Sequence, residues 1–214
     1  MLPSLTIIIR TCKTRLDRSR KLADVLRAIL TDDVRVVECV MDVYYSEDFL
    51  FKLSQEAKLI REYVLVLEDD MIFSTQTADF LMYLISKQFQ FVWCTLEKPS
   101  VLNHSMGQDL FGLHLIRCKK LSYSGAVFYN RSTLRLICEQ ALLSFLDDTF
   151  WKYDLAFSSL ACRIFSEQVW VSGACFATDP QLESAVETTS WIKVGRTKNL
   201  DLDSAFDFKQ AIYI

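Results

Sequence analysis

Residues 62–73 read EYVLVLEDDMIF. Five apolar residues, Tyr63 to Leu67, lead directly into three carboxylates, Glu68, Asp69 and Asp70. An unbroken apolar run of this length suits a strand buried on both faces, as in a parallel sheet covered by helices. Adjacent like charges repel, and a partly buried carboxylate is costly to ionise. A divalent cation removes that cost. Hard oxygen ligands suit Mg2+ or Mn2+, which also bind diphosphate oxygens. An ion shared between carboxylate and diphosphate stabilises a departing nucleoside diphosphate as a Lewis acid. The bland alternative is that the acids cap a following helix, although Thr75 or Thr77 can take that role.

The segments before this strand alternate in type. Leu5–Ile9 is a short β-branched run and predicts a buried strand. Residues 16–30 place Leu16, Leu22, Val25, Leu26, Ile29 and Leu30 on a helical stripe, with Thr14 or Asp17 near its start. Val34–Val40 predicts a second strand, and Ser46 can cap a helix over 47–61. After the acids, a helix over 77–87 and a strand over Phe89–Thr95 follow. This alternation implies an α/β fold with a mostly parallel central sheet and helices on its faces. Ligands of such sheets bind outside the carboxyl ends of the strands, here Arg10–Arg15, Met41–Tyr45 and Glu68–Asp70.

The second half is less regular. Strands are expected at Leu113–Arg117, Ala126–Tyr129 and Gln168–Val171. Helices are expected over 132–146 and 153–166, with a short one near 203–211. The loop Asn103–Gly112 carries two glycines and is expected to close over a donor.

The chain has 214 residues, 51% of them hydrophobic, which allows one domain with a sizeable core. Five glycines and three prolines leave no visible linker or repeat. The division expected is a nucleotide-binding half over 1–100 and an acceptor half over 101–214. A net charge of −3 gives no global sign of a protein that coats nucleic acid. Seven cysteines without a C-x-x-C pair, and only two histidines, argue against structural zinc. The cysteines lie mostly in apolar runs and read as buried free thiols of a reducing compartment. No signal-peptide pattern opens the chain, and no apolar run approaches the roughly 20 residues that span a bilayer. A cytoplasmic location without an integral membrane segment is the expectation.

The segment IIIRTCKTRLDRSRK, residues 7–21, holds six cations within twelve residues, Arg10 to Lys21. Arg15 is suited to a phosphate, because a guanidinium pairs well with phosphate oxygens. Arg18, Arg20 and Lys21 read as solvating a helix face. Asp42 ends the second strand and is placed to hydrogen-bond a base or ribose hydroxyl. Neither G-x-G-x-x-G nor G-x-x-x-x-G-K-[ST] occurs. Dinucleotide-dependent oxidoreduction and P-loop phosphoryl transfer therefore lose their main support.

The LEDDMIF stretch resembles the D-x-D region of GT-A glycosyltransferases, and most of all the L-E-D-D form of the lipopolysaccharide-type family 25. YSGAVFYNRSTLRLI, residues 123–137, resembles that family's small-residue strand and following helix. WKYDLAFSSL, residues 151–160, resembles its Asp-bearing helix start. VWVSGACFATDPQLESAVETTSW, residues 169–191, resembles its late strand, Pro-containing loop and terminal Ser region. The family's Pro-Val before the helix-start aspartate is Lys152-Tyr153 here. The resemblance implies a metal-dependent glycosyltransferase, a hexosyl- or pentosyltransferase. A nucleotide-sugar donor would be contacted by Arg10, Thr11 and Asp69, and Mn2+ or Mg2+ held by Glu68 and Asp70. It maps the helix-start aspartate onto Asp154, the expected catalytic base; the alternative for Asp154 is an N-cap. Asp147 and Asp148 are the spare candidates.

Gly125 permits close approach of a sugar to the backbone, or marks a bulge. Tyr123 and Ser124 are suited to hydrogen bonds with that sugar. His104 and His114 read as ordinary surface or core residues. Trp191, Lys193, Arg196 and Lys198 form a basic stretch suited to a lid or to a solvated tail. The resemblance implies a glycan or lipopolysaccharide acceptor. A modified base in DNA, for example a hydroxymethylated pyrimidine, is the rival, given basic clusters at 10–21, 116–120 and 193–198. A non-catalytic nucleotide- or carbohydrate-binding domain is a further alternative. The oligomeric state is open.

Overall fold

Leu5–Cys12 forms β1, every residue of it buried, so the β-branched run extends three residues beyond Ile9 and carries Arg10 and Thr11 into the sheet. The computed structural model describes residues 4–30, 33–39, 45–95, 105–119, 121, 125–146, 153–178, 209 and 211–212. After β1 come α1 (Leu16–Ile29), β2 (Val34–Cys39), α2 (Tyr45–Glu56) and β3 (Tyr63–Glu68). Next are β4 (Met71–Ser74), α3 (Thr77–Ser86), β5 (Phe91–Trp93), β6 (Ser105–Gln108) and β7 (His114–Arg117). The chain continues through β8 (Ala126–Asn130), α4 (Arg131–Leu146), α5 (Tyr153–Ile164), β9 (Gln168–Val171), β10 (Phe176–Thr178) and β11 (Ala211–Ile212).

The main sheet has eight strands in the order β2-β1-β3-β8-β5-β9-β7-β6. β2, β1 and β3 are mutually parallel, and β5 and β9 are parallel. β8 runs against both β3 and β5, and β7 runs against both β9 and β6. Strand direction is therefore mostly shared, with β8 and β7 reversed. The expected α/β fold with a mostly parallel sheet stands.

Side chains alternate across β1 and β3 and feed two cores. Ile7, Ile9, Leu65 and Leu67 pack with Leu22 and Leu26 of α1 and Phe80, Leu81 and Leu84 of α3. Ile8, Val64 and Val66 pack on the other face with Phe49 and Leu53 of α2, Leu134 of α4 and Phe157 and Leu160 of α5. The double coverage explains the unbroken apolar run of β3.

Several expectations change. α2 ends at Glu56 rather than 61, although Ala57 and Ile60 still pack into the same core. α1 follows a 3-10 turn over Lys13–Arg15, and neither Thr14 nor Asp17 caps it. The Asn103–Gly112 loop is a loop only in part: Ser105–Gln108 is an exposed edge strand paired with β7. That pairing supplies hydrogen bonds which the polar SMGQ sequence does not advertise. β4 is an addition to the expected elements; it joins β10 and β11 in a separate three-stranded antiparallel sheet. The helix expected near 203–211 lies largely outside the described residues. Among the described residues, no helix is long and apolar enough to cross a membrane.

Candidate functional site

β1 is flanked by β2 on one side and β3 on the other, so the strand order reverses at β1. In open α/β sheets the crevice at the carboxyl ends of such strands is where ligands bind. The register puts Arg10 directly beside Glu68. Asp69 and Asp70 then form a turn that carries the chain out of the main sheet and into β4.

The three carboxylates do not act as one cluster. Strand alternation turns Glu68 and Arg10 toward α2, and Thr11 and Asp69 toward α1. On the α2 side, Arg10 Nη1 lies 3.0 Å from Glu68 Oε1, and the guanidinium sits 4.9 Å from the Phe49 ring centroid. The pair is a cross-strand neighbour contact strengthened by charge and by the aromatic face.

On the α1 side, Thr11 Oγ1 donates to Asp69 Oδ2 at 2.6 Å, and Arg15 Nη1 donates to Asp69 Oδ1 at 3.1 Å. Ser19 Oγ donates to Thr11 Oγ1 at 2.6 Å, and Arg18 Nε donates to the Asp69 carbonyl at 2.9 Å. Arg15 Nη1 also lies 3.8 Å from Asp70 Oδ2. The Asp69 N–H donates to the Arg10 carbonyl at 3.1 Å, which ties the turn to β1. Gly125 belongs to the same place: its carbonyl accepts the Glu68 N–H at 2.8 Å, one residue before β8.

Arg10, Thr11, Arg15, Glu68, Asp69, Asp70 and Gly125 are thus brought together. The positive charge required by the acids comes from guanidinium groups within the chain. Repulsion alone therefore no longer demands a divalent ion, which corrects the expectation drawn from the acids by themselves. Both strand ends point to the site in the sequence; the arginine pairing does not show there.

A hard ion of the Mg2+ or Mn2+ kind takes one or two carboxylates when substrate phosphates and waters complete its shell. Among the described residues, no three acids, histidines or cysteines converge on a metal position. Asp69 has both oxygens committed to Thr11 and Arg15. Glu68 and Asp70 are hard oxygen donors of the right kind, but Glu68 pairs with Arg10 on the α2 side and Asp70 lies near Arg15, so an ion here would take one carboxylate from each side and complete its shell with phosphate and water.

Asp69 is held above its ordinary value of 3.8, because burial outweighs the stabilisation of its charge by Thr11 and Arg15. Native protein then takes up the proton at a higher pH than the unfolded chain. This contribution to stability is complete below the unfolded value and is lost as pH rises through the native one. Urea midpoints followed from pH 3.8 upward should therefore fall for the natural chain relative to Asp69→Asn. Identical pH profiles would contradict the assignment. Thr11→Val removes the hydroxyl that Asp69 accepts from; a loss of about 1–3 kcal/mol is expected in urea denaturation.

Arg18 is the residue that sequence reasoning misses. Its charge reads as a solvated helix face, yet it binds the Asp69 carbonyl. The available signal is its position one residue before the buried Ser19 and four before the buried Leu22. Arg20 behaves as expected: it is exposed and pairs with Asp17 at 3.4 Å. His114 meets Ser105 across the β6–β7 hairpin, in keeping with an ordinary surface role.

Asp154 lies in the first turn of α5, with its side chain outside what the structure describes. Asp42, His104, Tyr123, Ser124, Asp147, Asp148, Trp191, Lys193, Arg196 and Lys198 also lie outside the described residues.

No protein-family profile matches the chain, and no curated protein aligns with it. The resemblance to family 25 therefore rests on the quoted residues alone. Among solved structures, the chain is similar to A197 from STIV, with 11% identity over 78% of this chain and 81% of that one, at a TM-score of 0.46. It is similar to a mannose-1-phosphate geranyltransferase from Thermus thermophilus, with 11% identity, coverages of 81% and 76%, and a TM-score of 0.44. It is also similar to a glycosyltransferase involved in the glycosylation of the major capsid of PBCV-1, with 11% identity, coverages of 75% and 76%, and a TM-score of 0.45. At these identities and scores, the likenesses carry no assignment of activity.

Proposed function

We propose that the chain is a metal-dependent glycosyltransferase that binds a nucleotide-sugar at the carboxyl ends of β1 and β3. The observation that supports this most is the Arg10–Glu68 and Arg15–Asp69 pairing at the reversal of strand order. It sets fixed charges of both signs at the place where α/β sheets take their ligands. Arg15 is positioned by Asp69 to meet a diphosphate oxygen, and its planar fork suits that partner. Thr11 and Arg18 hold Asp69 in turn, and Ser19 holds Thr11. Arg10 fixes Glu68. The Gly125 backbone carries the start of β8 to the same crevice, where a sugar would lie.

Glu68 and Asp70 would hold Mn2+ or Mg2+, which when bound supplies Lewis-acid stabilisation of the leaving diphosphate. Asp154 is the proposed base. Its carboxylate takes the proton of the acceptor hydroxyl, whose oxygen bonds to the anomeric carbon as the bond to the diphosphate breaks. The acceptor is proposed to be a glycan hydroxyl. Arg10 and Arg18 bind an acid or backbone of this chain, which draws two cations of the first basic cluster away from a DNA backbone.

A panel of nucleotide-sugars, assayed for release of nucleoside diphosphate with and without Mn2+, tests this reading. Release from one donor that depends on Mn2+ and increases with a glycan acceptor is expected. Nucleoside diphosphate binding without turnover on any acceptor would instead identify a binding domain.

A further inference from the structure

The sulfur atoms of Cys118 and Cys162 lie 3.5 Å apart, although the residues are 44 positions apart in sequence. Cys118 follows β7, and Cys162 lies in the last turn of α5. All seven cysteines are free thiols; six are buried, and Cys118 alone is half-buried. One member of the pair is therefore reachable from solvent, and the other stands directly behind it.

The turn after α5 fixes this arrangement. The Cys118 N–H donates to the Glu167 carbonyl at 2.8 Å, and the Glu167 N–H donates to the Cys162 carbonyl at 2.6 Å. A single residue thus bridges the main chains of both cysteines. Ser166 and Glu167 reach this geometry with φ of 54° and 64°, a left-handed conformation that non-glycine residues seldom adopt. Two such residues in succession are retained only where the surroundings impose them.

We propose that Cys118 and Cys162 form a thiol–disulfide exchange site that reacts with a low-molecular-weight disulfide and closes into an intramolecular bond. The Cys118 thiolate attacks one sulfur of the small disulfide. The S–S bond breaks, one thiolate departs, and a mixed disulfide remains on Cys118. Cys162 then gives up its proton and attacks the Cys118 sulfur, and the second small thiol leaves. Two protein thiols are oxidised, and one small disulfide is reduced to two thiols. The division of roles follows exposure, since Cys118 is half-buried and Cys162 is buried. The contact between the sulfurs lowers the pKa of Cys118, while that contact and burial raise Cys162. Cys118 is thus the attacking sulfur and Cys162 the resolving one. In sequence, the closed loop encloses β8, α4 and most of α5.

The test exposes the full chain to glutathione disulfide, blocks remaining thiols by alkylation, and maps the peptides by mass spectrometry. Expected are a cross-link between the peptides of Cys118 and Cys162, the other five thiols left free of the original seven, and a higher Tm that dithiothreitol reverses. Cys162→Ala should stop at a stable glutathione adduct on Cys118, and Cys118→Ser should leave Cys162 reduced. The proposal is overturned if the natural chain stops at the mixed disulfide. It is equally overturned if Cys162 oxidises at the same rate in Cys118→Ser, or if both thiols survive excess oxidant in folded protein. The natural chain decides the matter alone should either variant fail to fold.

Discussion

Asp70→Ala is expected to lose about 10²–10³-fold in donor turnover while keeping its fold, the scale found when one preorganised electrostatic contact is removed from an active site. The structure gives a reason why the fold should survive. Arg15 is 3.8 Å from Asp70 but 3.1 Å from Asp69, so it keeps its shorter ion pair when Asp70 is removed. The substitution therefore removes a proposed ion ligand without stranding the neighbouring guanidinium. Diphosphate release titrated with Mn2+ reads the effect, and circular dichroism and the urea midpoint report on the fold. Unchanged turnover in folded Asp70→Ala would remove the metal assignment.

Arg15→Ala should be the most destabilising change at the site. Asp69 is buried and already held above its ordinary value by desolvation. Arg15 is the cation that offsets this, with side chains only 13% and 8% exposed in the pair. Removal of one partner leaves a buried charge uncompensated and costs about 3–5 kcal/mol. Asp69→Asn in the same chain should recover part of that loss, because the stranded charge is then gone. A double-mutant cycle by urea denaturation isolates the coupling. Additive losses would show that the two side chains do not support each other.

Much of the first half is legible in the sequence because local pattern and final environment agree there. Tyr63–Leu67 is apolar throughout, and both of its faces are covered. Of the α1 stripe, Leu22, Leu26 and Leu30 are buried and Leu16 and Val25 half-buried, whereas Ile29 is exposed and Ala23 joins the buried face. β4 is hidden because the acids resemble the end of an element, whereas Asp69 and Asp70 are a short turn between two sheets. The antiparallel insertion of β8 between β3 and β5 is a long-range pairing, and no nearby residue signals it.

At the site, the residues are legible and their partners are not. Glu68, Asp69 and Asp70 read as one acidic group because they are consecutive. The period of a strand sends neighbours to opposite faces, so Glu68 meets Arg10 and Asp69 meets Thr11 and Arg15. Arg10 and Glu68 are 58 residues apart, and only the pairing of β1 with β3 joins them. The charge of Arg18 suggests solvent, although its place on the helix brings it to the Asp69 carbonyl.

Calorimetric titration of the natural chain and of Asp70→Ala with nucleoside diphosphates, with and without Mn2+, examines the crevice most directly. Binding of one diphosphate that strengthens with Mn2+ and weakens in Asp70→Ala is expected. Absence of binding for every nucleotide, or equal binding by both proteins with and without Mn2+, would contradict a metal-assisted nucleotide-sugar site between β1 and β3.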